Sequence, residues 1–510
     1  MVGTTQCISC RALLREGSRF CEECGTPLAT ATSQSAAAHA VGNTDATRLL
    51  AAAALSRPGV GTWIRNWISE RNRSAPPEIG IDLDLVARVA KFGERRARKY
   101  NYALLALALV AAVGVLLSLP VVVLAAGAVA AVLVFLKSTT ERDWMTGCFH
   151  RQSFSKTDVE QRFTTALTGT EKGAVPSPDT NVTVYSGFSP FIGAGLEMGG
   201  WSFAIATDKA KDDFGAMPPA PVGVAELYEA VTERLQKLHL PGLEQRDHFF
   251  VYGPDVHEHP SLLPNKYGRP VDILPRDLVE RCSFGSDPHI RHYRWIRVSD
   301  WAGEITVSCF LRCYRRGPTL FVEFKRFLLT PLQRTIRSID DLAPLSLAGV
   351  FSQAAVAVLA SPFKMLAAVF EVVGYLNQWW DNVWNITGRR RRKAIDRTSR
   401  WDYGAGTSVR QAYASGEYAR YFQRADTDSY EKTLEKEILD TLVDFLNVKG
   451  VNTADLRERQ STILNHGVIV QNGDIKAGSL AVGEGAHSVQ RSLTNVVKKV
   501  SRKRGTEGAA

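Results

Sequence analysis

The stretch YNYALLALALVAAVGVLLSLPVVVLAAGAVAAVLVFL, residues 100–136, runs for 37 residues without a charge. A straight helix of that length would measure about 55 Å, whereas the hydrocarbon core of a bilayer is about 30 Å thick and is crossed by about 20 residues. One span therefore leaves apolar chain unexplained. Split at Ser118-Leu119-Pro120, the run gives two arms, Tyr102 to Leu117 and Pro120 to Leu136. Each is about 25 Å long, short for a bilayer but tolerable where lipid thins or flanking side chains snorkel. Pro120 lacks a backbone donor and disfavours helix in the residue before it, yet suits the first turn of a new helix. Gly114, Gly127 and many alanines let two arms pack closely. The expectation is a transmembrane helical hairpin over 100–137.

Two other readings stay open: a single tilted span that leaves the following domain outside the cell, and a hairpin buried in a large soluble core. Arg88, Lys91, Arg95, Arg96, Arg98 and Lys99 precede the run, and Lys137, Arg142 and Arg151 follow it. By the positive-inside rule both ends of a hairpin would be cytoplasmic. The expected localisation is the inner (plasma) membrane, with both soluble parts in the cytoplasm. MVGTTQCISC lacks the apolar core and cleavage site of a signal peptide, which agrees.

The chain has 510 residues, 45% of them apolar, enough for about three domains and at least one sizeable core, which excludes a disordered protein. Its formal charge of +10 is concentrated in runs at 88–99, 389–393 and 498–504, a pattern that points to local anionic partners.

In CISCRALLREGSRFCEECGTPL, two CxxC pairs separated by ten residues offer Cys7, Cys10, Cys21 and Cys24 as ligands. Four thiolates arranged as two knuckles favour one tetrahedral structural Zn2+ per chain, and a unit this small would take most of its folding free energy from the metal. With Gly17, Phe20, Gly25 and Pro27, this stretch resembles the short zinc ribbons at the N-termini of many bacterial membrane proteins. It departs from them at Arg11, where glycine is frequent. The resemblance implies a closed site without an open catalytic position. The other cysteines, Cys148, Cys282, Cys309 and Cys313, read as free thiols of a reducing compartment.

The expected fold class is α+β, with an N-terminal zinc ribbon, a transmembrane hairpin and an antiparallel sheet in the large domain. The divisions are 1–28 zinc ribbon, 29–62 flexible linker with a short helix at 45–55, 63–99 basic juxtamembrane helical region, 100–137 hairpin, and 140–340 α+β domain. They continue as 341–393 apolar or interfacial helices with a basic run, 400–466 helical region, 467–490 short β unit, and 491–510 basic tail. Helices are expected at 153–170 and 224–239. Strands are expected at 182–186, 201–207, 247–252, 290–299, 304–315 and 319–329, the last three as a meander.

Residues 345–376 are apolar but interrupted by Gln353, Lys364 and Glu371 and divided by Pro362. A charge at a bilayer centre costs about 2.5 to 3.5 kcal/mol, so this segment is expected to lie in the interface or against partner helices. Trp379, Trp380 and Trp384 followed by Arg389 to Lys393 suit anionic lipid headgroups, with a solvated linker as the alternative. Asp428 with Glu431 resembles a capping-box start for a helix over 428–449, ended by Gly450. GVIVQNGDIKAGSLAVGEGAHSVQ, 467–490, resembles a tail motif of uncharacterised actinobacterial proteins, some linked to signalling or defence. With the zinc ribbon and hairpin, it makes the whole similar to an uncharacterised actinobacterial family of zinc-ribbon membrane proteins.

Catalytic motifs are sparse. SGFSPFIGAGLEMGG is glycine-rich, but a strand-like WSFAIAT follows where a phosphate loop needs a helix, and Phe191 stands where a nucleophile elbow needs its second glycine. His257 and His259 in DVHEHP could place two imidazoles on one face with Asp255 or Glu258 nearby, and His289 and His292 in HIRHY are also metal-like, but no third ligand stands at fixed spacing and satisfied surface histidines are the expected reading. The expectation is an adaptor or sensor scaffold without identified catalysis, its partners the bilayer, an unknown protein and a possible second copy. Nucleic acid is not expected. One alternative is a membrane-bound enzyme with a pocket between 187–200 and 255–259. Another is a membrane-perturbing defence or toxin-like effector.

Overall fold

The computed structural model describes residues 44–466, except 71, 169, 170, 172, 174, 178, 211–218, 275–277, 280, 281 and 283–288. The cysteine quartet and the 467–490 unit lie outside the described residues. One unit ends at Thr453; the next opens with a helix at Ala454–His466.

The short helix expected at 45–55 forms as α1 (Asp45–Ser56), and a second helix, α2 (Pro58–Ser69), follows it where more flexible linker was expected. Thr44 caps α1 by accepting from the Thr47 N–H at 3.2 Å. Ala51 to Ala54 are buried, because their methyl groups let neighbouring helices approach closely. A Cβ at Gly61 would stand 2.7 Å from the Ala54 carbonyl oxygen. Alanine is here a packing residue, not linker composition.

α3 (Leu83–Leu116) starts under the cap of Asp82, whose carboxylate accepts from the Leu85 N–H at 3.0 Å. Its first turns, with Leu83, Leu85, Val86 and Val89, are buried in the same hydrophobic core as α1. The helix then passes through its charged run and continues through the apolar run without a break. Leu119 N–H donates to the Gly114 carbonyl at 2.7 Å, Ser118 takes a left-handed φ of 52°, and Pro120 opens α4 (Pro120–Gly147). The chain therefore turns back at the proline, as expected. A Cβ at Gly114 would meet Val122 and Val123 within 3.1–3.2 Å, so the arms close on a residue without a side chain. Leu104 and Ala130 are buried between the arms, whereas Leu109, Leu116, Val121 and Leu124 are exposed. The C-terminal end of α4 returns Met145, with Phe149 beyond it, to the core that holds the start of α3.

In place of the 153–170 helix, only α5 (Lys156–Phe163) forms, capped by Ser155. The sheet contains β1 (Val182–Tyr185), β2 (Leu196–Ala206), β3 (Glu244–Tyr252), β4 (Ile290–Asp300), β5 (Ile305–Arg316) and β6 (Thr319–Leu329). Its order is β1-β3-β4-β5-β6-β2. Strands β4, β5 and β6 form the expected meander, with Trp295 opposite Phe310 and Phe310 opposite Lys325. One pairing departs from the antiparallel expectation: β1 lies parallel to β3, Val184 opposite Val251. α6 (Val224–Gln236) follows β2 and packs on β5, where the Tyr228 hydroxyl accepts from the Cys313 N–H at 2.7 Å.

α7 (Leu347–Trp384) is one continuous helix through Pro362, which corrects the expected division of this segment. Its middle, at Met365 and Ala368, packs against Leu104 and Ala130 of the hairpin. α3, α4 and the Leu347–Asp381 part of α7 are each long and apolar enough to cross a membrane. Asn385, with a φ of 47°, ends α7 and starts α8 (Ile386–Arg397). α9 (Tyr421–Val448) begins seven residues before the expected start: Gln423, not Glu431, accepts from the Arg420 N–H at 3.1 Å. Its buried stripe of Leu434, Ile438, Leu439, Leu442 and Leu446 is the expected one, and Gly450 follows with a φ of 77°. Glu431 is instead a buried side chain, packed near Arg326.

Candidate functional site

Where α3, α4 and α7 pass from uncharged to charged sequence, they enclose with the α1–α2 corner a cavity of about 830 Å³. Its charged lining comes from all four sides: Arg65 on α2, Glu94 and Arg96 on α3, Lys137 and Glu141 on α4, and Glu371 on α7. Glu94 pairs with Arg65 and, at 2.6 Å, with Arg98 one turn on. The Arg98 guanidinium also donates to Gln378 at 2.6 Å, and the Asn101 amide to the Tyr375 hydroxyl at 2.9 Å, which ties the last third of α7 to α3. Arg96 stacks over Trp144 with its guanidinium carbon 4.0 Å from the ring centre, and the Lys137 ammonium stands 4.4 Å from the Tyr100 ring centre. Such aromatic partners suit cations held where water thins out. Burial lowers the Arg65 guanidinium below its ordinary value, although it remains a cation.

Just before α7, the Ala343 carbonyl accepts from Arg142 of α4 at 2.9 Å. Ala343 and the last third of α7 therefore both bond to the charged end of the hairpin. Trp379, Trp380 and Trp384 stand exposed on its last turns. Beyond them Arg392 of α8 stacks over Tyr267, 5.5 Å from the ring centre, and lines with Arg391 a second cavity of about 520 Å³.

Of the four histidines singled out in the sequence, His259 and His289 stay together, ring centres 6.1 Å apart, while His257 and His292 turn to other partners. His289 lies between Asp255 and Glu258, its Nδ1 3.1 Å from one carboxylate and its Nε2 3.0 Å from the other. Arg400 reaches both carboxylates at 3.1 Å. One ligand atom from each of Asp255, Glu258 and His289 falls within 4.8 Å of the others, so the third ligand missing from DVHEHP arrives from 30 residues on. The trio has the donor types of a divalent-cation site, with Arg400 as the cation in place. His257 instead packs its ring beside Tyr403, and His292 bonds Asp247 at 2.7 Å under α6. His248, which the sequence did not mark, is fully buried against Thr183 at 2.8 Å, and burial pushes it down to about 3, so it is neutral.

The glycine-rich loop does other work than phosphate binding. Phe191 inserts among Phe250, Tyr293, Phe310 and Phe327 with ring centres 4.7 to 5.5 Å away, sealing one face of the sheet. The glycine at 195 is needed for close approach: its φ is +97°, and a Cβ there would stand 2.2 Å from the Leu328 carbonyl oxygen. The Cys309 and Cys313 thiols are buried on β5, and burial raises both far above the ordinary thiol range, which suits packing rather than chemistry.

A further buried group links the segment before α3 to the turn at Val409. Glu78 accepts from the Val409 and Arg410 N–H groups at 2.6 and 3.0 Å. Arg410 is fully buried and donates to the Glu304 and Thr330 carbonyls at 3.0 and 2.8 Å.

These elements define an α+β protein carrying three helices long and apolar enough to cross a membrane, which marks it as a membrane protein. The chain belongs to the AbeC-like domain family, whose model matches residues 200–477. That match takes in most of the sheet, α7, α8 and α9, and leaves the α3–α4 hairpin outside. No curated protein and no solved structure matches the chain.

Proposed function

We propose that the protein is a membrane-anchored adaptor or sensor, held on the cytoplasmic face of the plasma membrane by the α3–α4 hairpin and carrying one structural Zn2+ on Cys7, Cys10, Cys21 and Cys24. One observation carries the reading: α3 and α4 are each continuous between the soluble core and the apolar arms, so no joint separates domain from anchor. A change in tilt of the arms would be felt directly by Leu83 to Val89 and by Met145. A helical anchor without a flexible linker suits transmission or rigid presentation of a surface.

The flanks of α7 support a cytoplasmic position for α8 and α9. Ala343 and the Tyr375–Gln378 turn both bond to the charged end of the hairpin, which supports a reading in which the approach to α7 and its last third share that side. On that side Arg389 to Lys393 would meet anionic headgroups, each cation contributing about 1 kcal/mol.

The test is integration of the full chain. The wild type should resist alkaline carbonate and require detergent for extraction. Leu109→Arg with Leu124→Arg, two exposed positions on the arms, places two charges in lipid at about 2.5 to 3.5 kcal/mol each and should move the chain out of the membrane fraction. Release of the wild type by carbonate would overturn the anchor. A partner cross-linked to the wild type but not to the released variant would support the adaptor role.

A further inference from the structure

We propose that the 830 Å³ cavity at the charged end of the hairpin is a binding site for one zwitterionic phospholipid whose head carries a primary ammonium beside its phosphodiester. The inference rests on the membrane reading above. Three observations lead to it.

The first is charge. Arg65, Arg96 and Lys137 line the cavity together with Glu94, Glu141 and Glu371, three cations and three anions, so an ion of single sign gains no net attraction there. A head with both signs does. Two of the acids already have cations beside them, Glu94 with Arg65 and Glu141 with Lys137 at 3.9 Å. Glu371 is exposed on α7, a carboxylate able to accept from an ammonium, while Arg96, whose Nη1 has no hydrogen-bond partner among the described residues, is a donor available to a phosphodiester.

The second is continuity with apolar surface. Phe370 lines the cavity and is 72% exposed, and Leu366 and Phe363, one and two turns back along α7, are 60% and 74% exposed. A head in the cavity therefore has an apolar strip beside it on which an acyl chain can lie. A soluble zwitterion would leave that strip unused. The third is size: a cavity of this volume lies within the roughly 300 to 1,000 Å³ that encloses small-molecule ligands.

Two glycines in the lining permit a clean test. A Cβ added at Gly374 or at Gly59 has nothing within 4 Å, so Gly374→Phe and Gly59→Leu add bulk to the lining without a clash at Cβ. The full chain is purified in detergent, and its retained lipid is counted by native mass spectrometry. It is then delipidated and melted with phosphatidylethanolamine, phosphatidylglycerol, phosphatidylcholine or soluble phosphoethanolamine.

The wild type should retain about one phosphatidylethanolamine per chain and be stabilised by that lipid above the others. Gly374→Phe should retain it at least tenfold less, with an unchanged melt in the absence of lipid. Gly59→Leu repeats the measurement from another helix of the lining, α2, and stands in if the first variant fails to fold. Equal retention in both folded variants, no retained lipid, a preference for phosphatidylglycerol, or equal stabilisation by phosphatidylcholine would overturn the proposal. Equal stabilisation by soluble phosphoethanolamine would show a headgroup site without a lipid and would also overturn it. Carbonate extraction separates the two levels: a chain that resists carbonate yet retains no lipid keeps its anchor and loses this site.

Discussion

Replacing Glu78 by glutamine should remove most of a pH dependence that the fold builds into one carboxyl. Two backbone donors and the neighbouring Arg410 guanidinium favour its ionised form, but burial opposes it more strongly, and the group is pushed up from 4.5 to about 8. In the unfolded chain it ionises near 4.5. Between those values the folded chain holds a proton that the unfolded chain has released, so stability falls as pH rises through the window and levels off above about 8. The gap, at about 1.4 kcal/mol per pH unit, amounts to about 5 kcal/mol. Burial raises Glu431 in the same direction, to about 7, so it adds a smaller loss that the substitution leaves in place. Urea unfolding in detergent micelles, followed by tryptophan fluorescence from pH 5 to 9, reads the effect. Wild type should lose stability steadily over that range. Glu78→Gln should be about 1 kcal/mol weaker at pH 5, where an amide serves the two N–H donors less well, and several kcal/mol stronger at pH 8.5. A wild-type profile that is flat or rising from pH 5 to 8 would refute the reasoning, because it would mean that Arg410 and the two amides keep the carboxylate charged.

Gly195→Ala should cost more than about 3 kcal/mol, since it combines a left-handed φ with a Cβ driven into the Leu328 carbonyl, and thermal melting would read the loss. A shift within error would mean that β2 can move away from β6. Arg48 is almost fully buried and bonds Asp340 through two nitrogens at 2.6 and 2.8 Å, so Arg48→Met should cost about 3 to 5 kcal/mol, and pairing it with Asp340→Leu should recover part of that. A double variant no better than the single one would show that the buried Asp45 carboxylate and the Phe149 carbonyl, both also held by Arg48, carry the cost. Metal analysis should find about one zinc per chain, lost in Cys21→Ser with Cys24→Ser; zinc kept at full stoichiometry would exclude the quartet as its site.

The strands were legible because β-branched and aromatic residues alternate over 290–329 with Gly303 and Gly317 at the turns. The hairpin was legible because an uncharged run too long for one span carries a proline at its midpoint. Its true length was not. Arg88 to Lys99 read as a polar flank, yet these side chains ride on one uninterrupted helix, paired as Arg88 is with Asp84 at 2.8 Å and Glu160 at 3.0 Å. The alanines at 51–54 have linker composition and a core role, a distinction set by Gly61, which no local pattern encodes.

Pro362 reads as a helix break because it removes a hydrogen bond, but the helix runs on through it, with Met365 and Ala368 just beyond packed against the hairpin. The grouping of Asp255 and Glu258 with His289 was invisible for a different reason. Their proximity is a product of the fold, since His289 stands next to Ile290, where β4 begins beside β3. The cavity at the hairpin's charged end is also a product of assembly, drawing its six charges from four helices.

The side on which the chain emerges from the membrane is the most direct test. A cysteine introduced at Ser118, at the tip of the hairpin, should react with a membrane-impermeant thiol reagent added to intact cells, while a tag on the C-terminus should become accessible only after the cells are opened. A C-terminal tag read out on intact cells would contradict the account, and with it the placing of the sheet and the basic helix α8 on the cytoplasmic face.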